Sequence, residues 1–127
     1  MGIKLPGKLK MKNVPTIYKG RNYASKIEAA RAAELDVLKD VGEIIHWEPQ
    51  VRFRNLGDGT SSYTVDFVVF EKYGIVHAEE VKGMEHPWYK MNKRKWGRFG
   101  PCDLVIIKSA NGHLYTDEVL KGGLCER

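Results

Sequence analysis

Ser62-Tyr63-Thr64-Val65-Asp66-Phe67-Val68-Val69-Phe70, then Glu71-Lys72-Tyr73-Gly74, then Ile75-Val76-His77-Ala78-Glu79-Glu80-Val81-Lys82 is the stretch that decides the fold. Its outer parts are rich in β-branched and aromatic residues and the middle carries a Gly-bearing turn, so it reads as a β-hairpin. Side chains alternate across a strand, which puts Glu80 and Lys82 on one face. Asp66 lies on the partner strand and can reach that face, although the pairing register is not legible from sequence. Gly83 directly after Lys82 permits a sharp turn or a close backbone approach to a ligand.

These residue types suit a hard divalent cation. Mg²⁺ takes oxygen ligands, usually one or two carboxylates completed by water and phosphate oxygens. Asp66 and Glu80 supply such a pair, and the backbone carbonyl of Val81 offers a third oxygen. A bound ion would polarise a phosphoryl group and acidify an attacking water. Lys82 would add positive charge beside the attacked phosphate. An acid and a lysine two apart on a strand are also a common solvated ion pair, so the setting within an apolar hairpin carries the weight.

Asp66, Glu80 and Lys82 resemble the D…(D/E)-x-K signature of the PD-(D/E)XK nuclease superfamily, which includes restriction enzymes and Holliday-junction resolvases. The likeness covers about residues 23–108. It implies an α/β fold with an αβββαβ core, a central mixed β-sheet flanked by helices. Val65 stands where the motif's name has proline, a position that is loose in the family. The segment Tyr23-Ala24-Ser25-Lys26-Ile27-Glu28-Ala29-Ala30 resembles the first helix of small phage-borne members, which implies a metal-site role for Glu28. Ser25-x-x-Glu28 is equally a capping box, in which Glu28 bonds back to the N-cap amide. Gln50, in Trp47-Glu48-Pro49-Gln50-Val51, resembles a glutamine that precedes the motif strands in that branch. It would hold a water or phosphate near the metal, or satisfy backbone groups at the bend that Pro49 marks.

The chain has 127 residues and a net charge of +5, enough for one domain with its own core. Lys4, Lys8, Lys10, Lys12, Lys19, Arg21 and Lys26 all precede the first acid, Glu28. Lys90, Lys93, Arg94, Lys95 and Arg98 are interleaved with Trp88, Tyr89, Trp96 and Phe99. Basic clusters flanking an acidic pocket suit a polyanion held near a metal. Lys10, Lys12, Lys19, Arg21, Lys26, Lys90, Lys93, Arg94 and Lys95 are the candidate nucleic-acid contacts, although basic tails also serve solubility. Cys102 and Cys125 make neither a disulfide framework nor a zinc site. With no apolar run long enough to span a bilayer, the expected compartment is the cytoplasm.

Residues 1–22, rich in Lys, Gly and Pro, read as a flexible basic arm, 23–121 as the single nuclease-like domain and 122–127 as a frayed tail. A helix is expected from Ser25 to Gly42, with an apolar stripe of Ile27, Ala30, Leu35, Leu38 and Val41 joined by Val37. A strand follows over 43–54. A short helix from Trp88 to about Trp96 ends at Gly97, with its aromatics directed to the core. Residues 103–108 form a buried strand, parallel to a neighbour, and Leu114-Tyr115 a short edge strand.

The resemblance implies a Mg²⁺-dependent endodeoxyribonuclease, with Mn²⁺ able to substitute. The expected substrate is branched or four-way-junction DNA, cut by a homodimer of phage type. The alternatives are a nicking, repair or single-strand nuclease of the same chemistry, and a noncatalytic DNA-binding subunit on the same fold.

Overall fold

The computed structural model describes residues 14–54, 62–82 and 88–123, without the side chains of 88–90. A small hairpin of β1 (Thr16–Tyr18) and β2 (Arg21–Tyr23) leads into helix α1 (Lys26–Asp40). Then come β3 (Ile44–Arg54), β4 (Ser62–Glu71), β5 (Val76–Val81), helix α2 (Trp88–Phe99), β6 (Asp103–Ala110) and β7 (His113–Leu120). Strands β3 to β7 form one mixed five-stranded sheet in chain order. All neighbours are antiparallel except β5 and β6, which run parallel. A parallel pair needs a long crossover, and α2 supplies it.

Both faces of the sheet are covered, which explains why its central strands read as apolar runs. On one face Phe67, Val69, Val81 and Ile107 pack with Ala29, Ala32 and Leu35 of α1 and with Tyr23. On the other, Val68, Ala78, Leu104 and Ile106 pack against Trp96 of α2. Trp96 is fully buried, its indole N–H donating to the Cys102 carbonyl at 2.7 Å. The expected core role of the α2 aromatics holds at this residue. Among the described residues no helix is long and apolar enough to cross a membrane.

Several expectations are revised. Residues 16–22, expected within a flexible arm, form with Tyr23 the β1–β2 hairpin, turned by Lys19 and Gly20 at positive φ. Its Tyr18 hydroxyl donates to Asp36 at 2.5 Å, and the Trp47 indole donates to the same carboxylate at 3.0 Å. Residues 1–13 lie outside the described residues. In α1 the N-cap Ser25 and the stop at Gly42 (φ +82°) are as expected, but the buried face is Glu28, Ala29, Ala32 and Leu35. Val37 and Val41 are exposed, at 59% and 65%. The stripe is displaced because Glu28 is buried and Arg31 turns inward to Glu79 on the sheet.

Helix α2 passes through Gly97 to Phe99, and β7 has eight residues rather than two. Gly122 and Gly123, expected in the frayed tail, are docked: the Gly123 amide donates to the Trp96 carbonyl at 3.2 Å. A Cβ on Gly122 would lie 2.4 Å from the carbonyl oxygens of Cys102 and Gly100. Residues 124–127 are outside the described range.

Candidate active site at a fork between two strands

The register of β4 against β5 runs from Phe70↔Val76 to Phe67↔Glu79. One further step sets Asp66 opposite Glu80, and there the two strands part. Beyond that point β4 stays paired with β3 out to Ser62↔Arg54, while β5 stays paired with β6 out to Val81↔Ile107. The sheet therefore forks at the two acids. The Val81 amide spans the fork, donating to Asp66 Oδ2 at 2.7 Å.

The pleat changes phase at the same level. Trp47 packs on the α1 side of the sheet, whereas Val51 and Phe53 pack with Trp96 on the other. In β4, Phe67 and Val69 belong to the α1 side, and Val65 and Tyr63 to the Trp96 side. Gln50, at φ +50°, is the residue where β3 changes phase, and the register passes over the Gln50–Asp66 pair. Its side-chain amide hydrogen-bonds Asp66. Gln50 thus sits at the bend, and its side chain reaches the carboxylate of Asp66.

Glu28 enters the fork from the first turn of α1. Its amide donates to Ser25 Oγ at 3.1 Å, half of a capping box. Its carboxylate takes a hydrogen bond from the Ala24 amide, one residue before the expected N-cap amide. Glu28 Oε1 is nonetheless buried without a hydrogen-bond partner, and so is Glu80 Oε1. Burial, reinforced by the negative charge of Asp66, pushes the Glu28 carboxyl up to about 7. Burial raises Asp66 as well, against the opposing bonds from Val81 and Gln50. Glu80 is raised by burial and by the charges of Asp66 and Glu28, while the Tyr63 hydroxyl and the Lys82 ammonium oppose the shift. Lys82 is buried.

Asp66, Glu80, Val81, Glu28, Gln50 and Lys82 are all brought together. Among the described residues, however, no three His, Cys, Asp or Glu side chains are gathered closely enough to hold a metal ion. The carboxylates stand around the fork as a mutually repelling set. Their hard oxygens, two of them buried and unpartnered, fit a divalent cation, which would replace the repulsion with shared attraction.

Sequence reasoning missed the groups that support this set. Tyr63, read as a packing residue, packs edge-on against Trp96 at 6.1 Å between centroids and also bonds Glu80. Glu79 faces the opposite way from Glu80, into the α1 side. Arg31 holds it with Nε and Nη2 at 2.7 Å each, and His77 Nε2 lies 2.7 Å from Oε2. His77 Nδ1 in turn lies 2.6 Å from Glu71 Oε2. Strand alternation was the available signal: an acid beside Glu80 had to enter the core, where only a cationic partner makes it tolerable.

The candidate nucleic-acid contacts divide. Lys19 pairs with Asp36 at 3.2 Å and Lys93 with Glu118 at 2.9 Å. Arg21, Lys26 and Arg94 are exposed, and Lys95 is half-buried. Lys10, Lys12 and the side chain of Lys90 lie outside the described residues.

Comparison with protein-family models returns no match, and no curated protein or solved structure matches the chain.

Proposed function

We propose that this chain is a divalent-cation-dependent endonuclease of the PD-(D/E)XK type that hydrolyses DNA phosphodiesters. The observation that carries the reading is the fork itself. Glu28 and Glu80 each hold a buried oxygen without a partner beside Asp66, with the buried Lys82 two residues from Glu80. Uncompensated buried carboxylates are costly, and a cation is the partner that this oxygen set suits. The order α1-β3-β4-β5-α2-β6 agrees with the αβββαβ order that the resemblance implies.

Asp66 and Glu80 would hold the cation, and Glu28 would have to draw in from α1 to join them. Mg²⁺, or Mn²⁺ in its place, supplies polarisation of the phosphoryl oxygen and a more acidic attacking water. The chain's own groups set the geometry. The Val81 amide and Gln50 orient Asp66, and the Tyr63 hydroxyl orients Glu80. Lys82 places a cation where negative charge grows on the transferring phosphate.

Branched DNA is the proposed substrate and a homodimer the proposed form, by analogy with small resolvases of this type. The test is a Mg²⁺-dependent cleavage assay on a labelled four-way junction, with Lys82→Ala alongside. Paired nicks near the branch that vanish in the variant are expected. Equal nicking of matched duplex and single strands would retain the nuclease and remove the junction preference. Binding without cutting in either metal would replace the enzyme by a noncatalytic DNA-binding subunit.

A further inference from the structure

Beyond Gln50, β3 and β4 leave the body of the sheet as a two-stranded ribbon. Val51, Phe53 and Tyr63 turn toward Trp96. By alternation Arg52, Arg54, Ser62 and Thr64 occupy the opposite face, and all four are exposed. They form two cross-strand rungs, Arg52↔Thr64 and Arg54↔Ser62. The next position inward is Gln50, whose side chain contacts Asp66. One polar, basic face of the ribbon therefore ends beside Gln50, the residue that borders the fork.

Some basic side chains are engaged by acids, as Lys19 is by Asp36, Lys108 by Asp117 and Lys121 by Asp103. Among the described residues neither Arg52 nor Arg54 has a carboxylate partner. Arg52 Nη2 donates to Ser62 Oγ at 3.1 Å, which steadies the guanidinium across the ribbon. That bond uses Ser62 as an acceptor and leaves its own hydroxyl hydrogen to donate. The two arginines are two residues apart on one strand, so they repeat at roughly 7 Å. That is comparable to the separation of successive phosphates along an extended nucleic-acid strand. Guanidinium groups present paired donors matched to phosphate oxygens, and hydroxyls complete such contacts.

We infer that this face of the β3–β4 ribbon is a phosphate-tracking strip, along which Arg52 and Arg54 lead one nucleic-acid strand into the fork. The strip rests on the nuclease reading for what happens at its inner end, but its own content is a backbone contact independent of sequence. It gives the site a direction: the scissile phosphate lies at Asp66, and the flanking phosphates on one side lie over Arg52 and Arg54.

The test is the salt dependence of binding of the full-length chain to a labelled four-way junction and to a single strand, with Ca²⁺ present. Wild type is compared with the double variants Arg52→Ala/Arg54→Ala and Arg52→Lys/Arg54→Lys, and Mn²⁺-dependent cleavage is followed in parallel. Loss of two phosphate contacts reduces the slope of log K against log salt by about 1.8 on duplex arms, or about 1.4 on a single strand. The lysine pair restores most of that slope. An alanine pair with wild-type slope and unchanged thermal unfolding overturns the strip, even if wild type cuts DNA. A reduced slope with no cleavage by wild type keeps the strip and removes the catalytic reading. Wild type that binds no nucleic acid overturns both.

Discussion

Arg31 grips Glu79 through two parallel hydrogen bonds of 2.7 Å each, from Nε and Nη2, across the interface between α1 and β5. Arg31 is one helical turn beyond Glu28, and Glu79 is the neighbour of Glu80. The clamp therefore sets the height of α1 on the sheet and, with it, the approach of Glu28 to the fork. Replacing Arg31 by Met leaves the fully buried Glu79 with only His77. Removal of one partner from a buried pair costs about 3–5 kcal/mol. The expected outcome in urea unfolding is a loss of that order for Arg31→Met. Arg31→Met/Glu79→Met should lose less, since no charge is stranded. Equal losses in the single and double variants would show that the clamp contributes packing rather than charge pairing.

Glu28 caps the helix with one part of its carboxylate and presents Oε1, unpartnered, to the fork. Glu28→Gln keeps an acceptor for the Ala24 amide and removes the charge. Cleavage should fall by roughly tenfold to a hundredfold, the range found when groups around a metal are altered. Stability without metal should hold or rise at pH 8, because one fewer buried charge has to be desolvated. Intact cleavage with weakened unfolding stability would assign Glu28 to the cap alone.

Proton and cation compete at the fork. An acid whose folded pKa lies above its unfolded value binds more protons in the native state, so stability falls as pH rises between the two. For Glu28 that window runs from 4.5 to about 7, and Asp66 and Glu80 shift in the same direction. A cation binds the deprotonated set and reverses the penalty. The increase in Tm given by Mn²⁺ over EDTA should therefore be small at pH 5 and grow steadily to pH 8. An increase that does not change with pH would place the ion elsewhere.

His77 lies between Glu79 and Glu71, and these bonds raise its pKa despite burial. A raised histidine contributes stability that is complete below its ordinary value of 6.5 and disappears as pH passes its folded value. His77→Gln should therefore cost more at pH 6 than at pH 9, read from urea midpoints at both. The reverse order would mean that a neutral imidazole is the native form.

Gly122 shows how the chain end closes the second core. A Cβ there would meet two carbonyl oxygens at 2.4 Å, both backbone, so the contact cannot be relieved by a rotamer change. Gly122→Ala should cost about 1–3 kcal/mol, as overpacking does. Wild-type stability for this variant would show that the segment after β7 does not need its docked position.

By itself the sequence determined the hairpin that carries Asp66 and Glu80, the helix bounded by Ser25 and Gly42, and the parallel placement of β6. Each rests on a local signal: β-branched runs, a cap and a left-handed stop, or an apolar run after a helical crossover. Only the tertiary structure decided that the strands part at Asp66 and Glu80, that the pleat changes phase at Gln50, and that Arg31, His77 and Tyr63 serve the same site. The physical reason is that register and charge pairing are long-range. A polar residue shows in sequence as polar whether it meets water or a buried partner many residues away. Arg31 and Glu79 look like surface charges until the fold turns them toward one another.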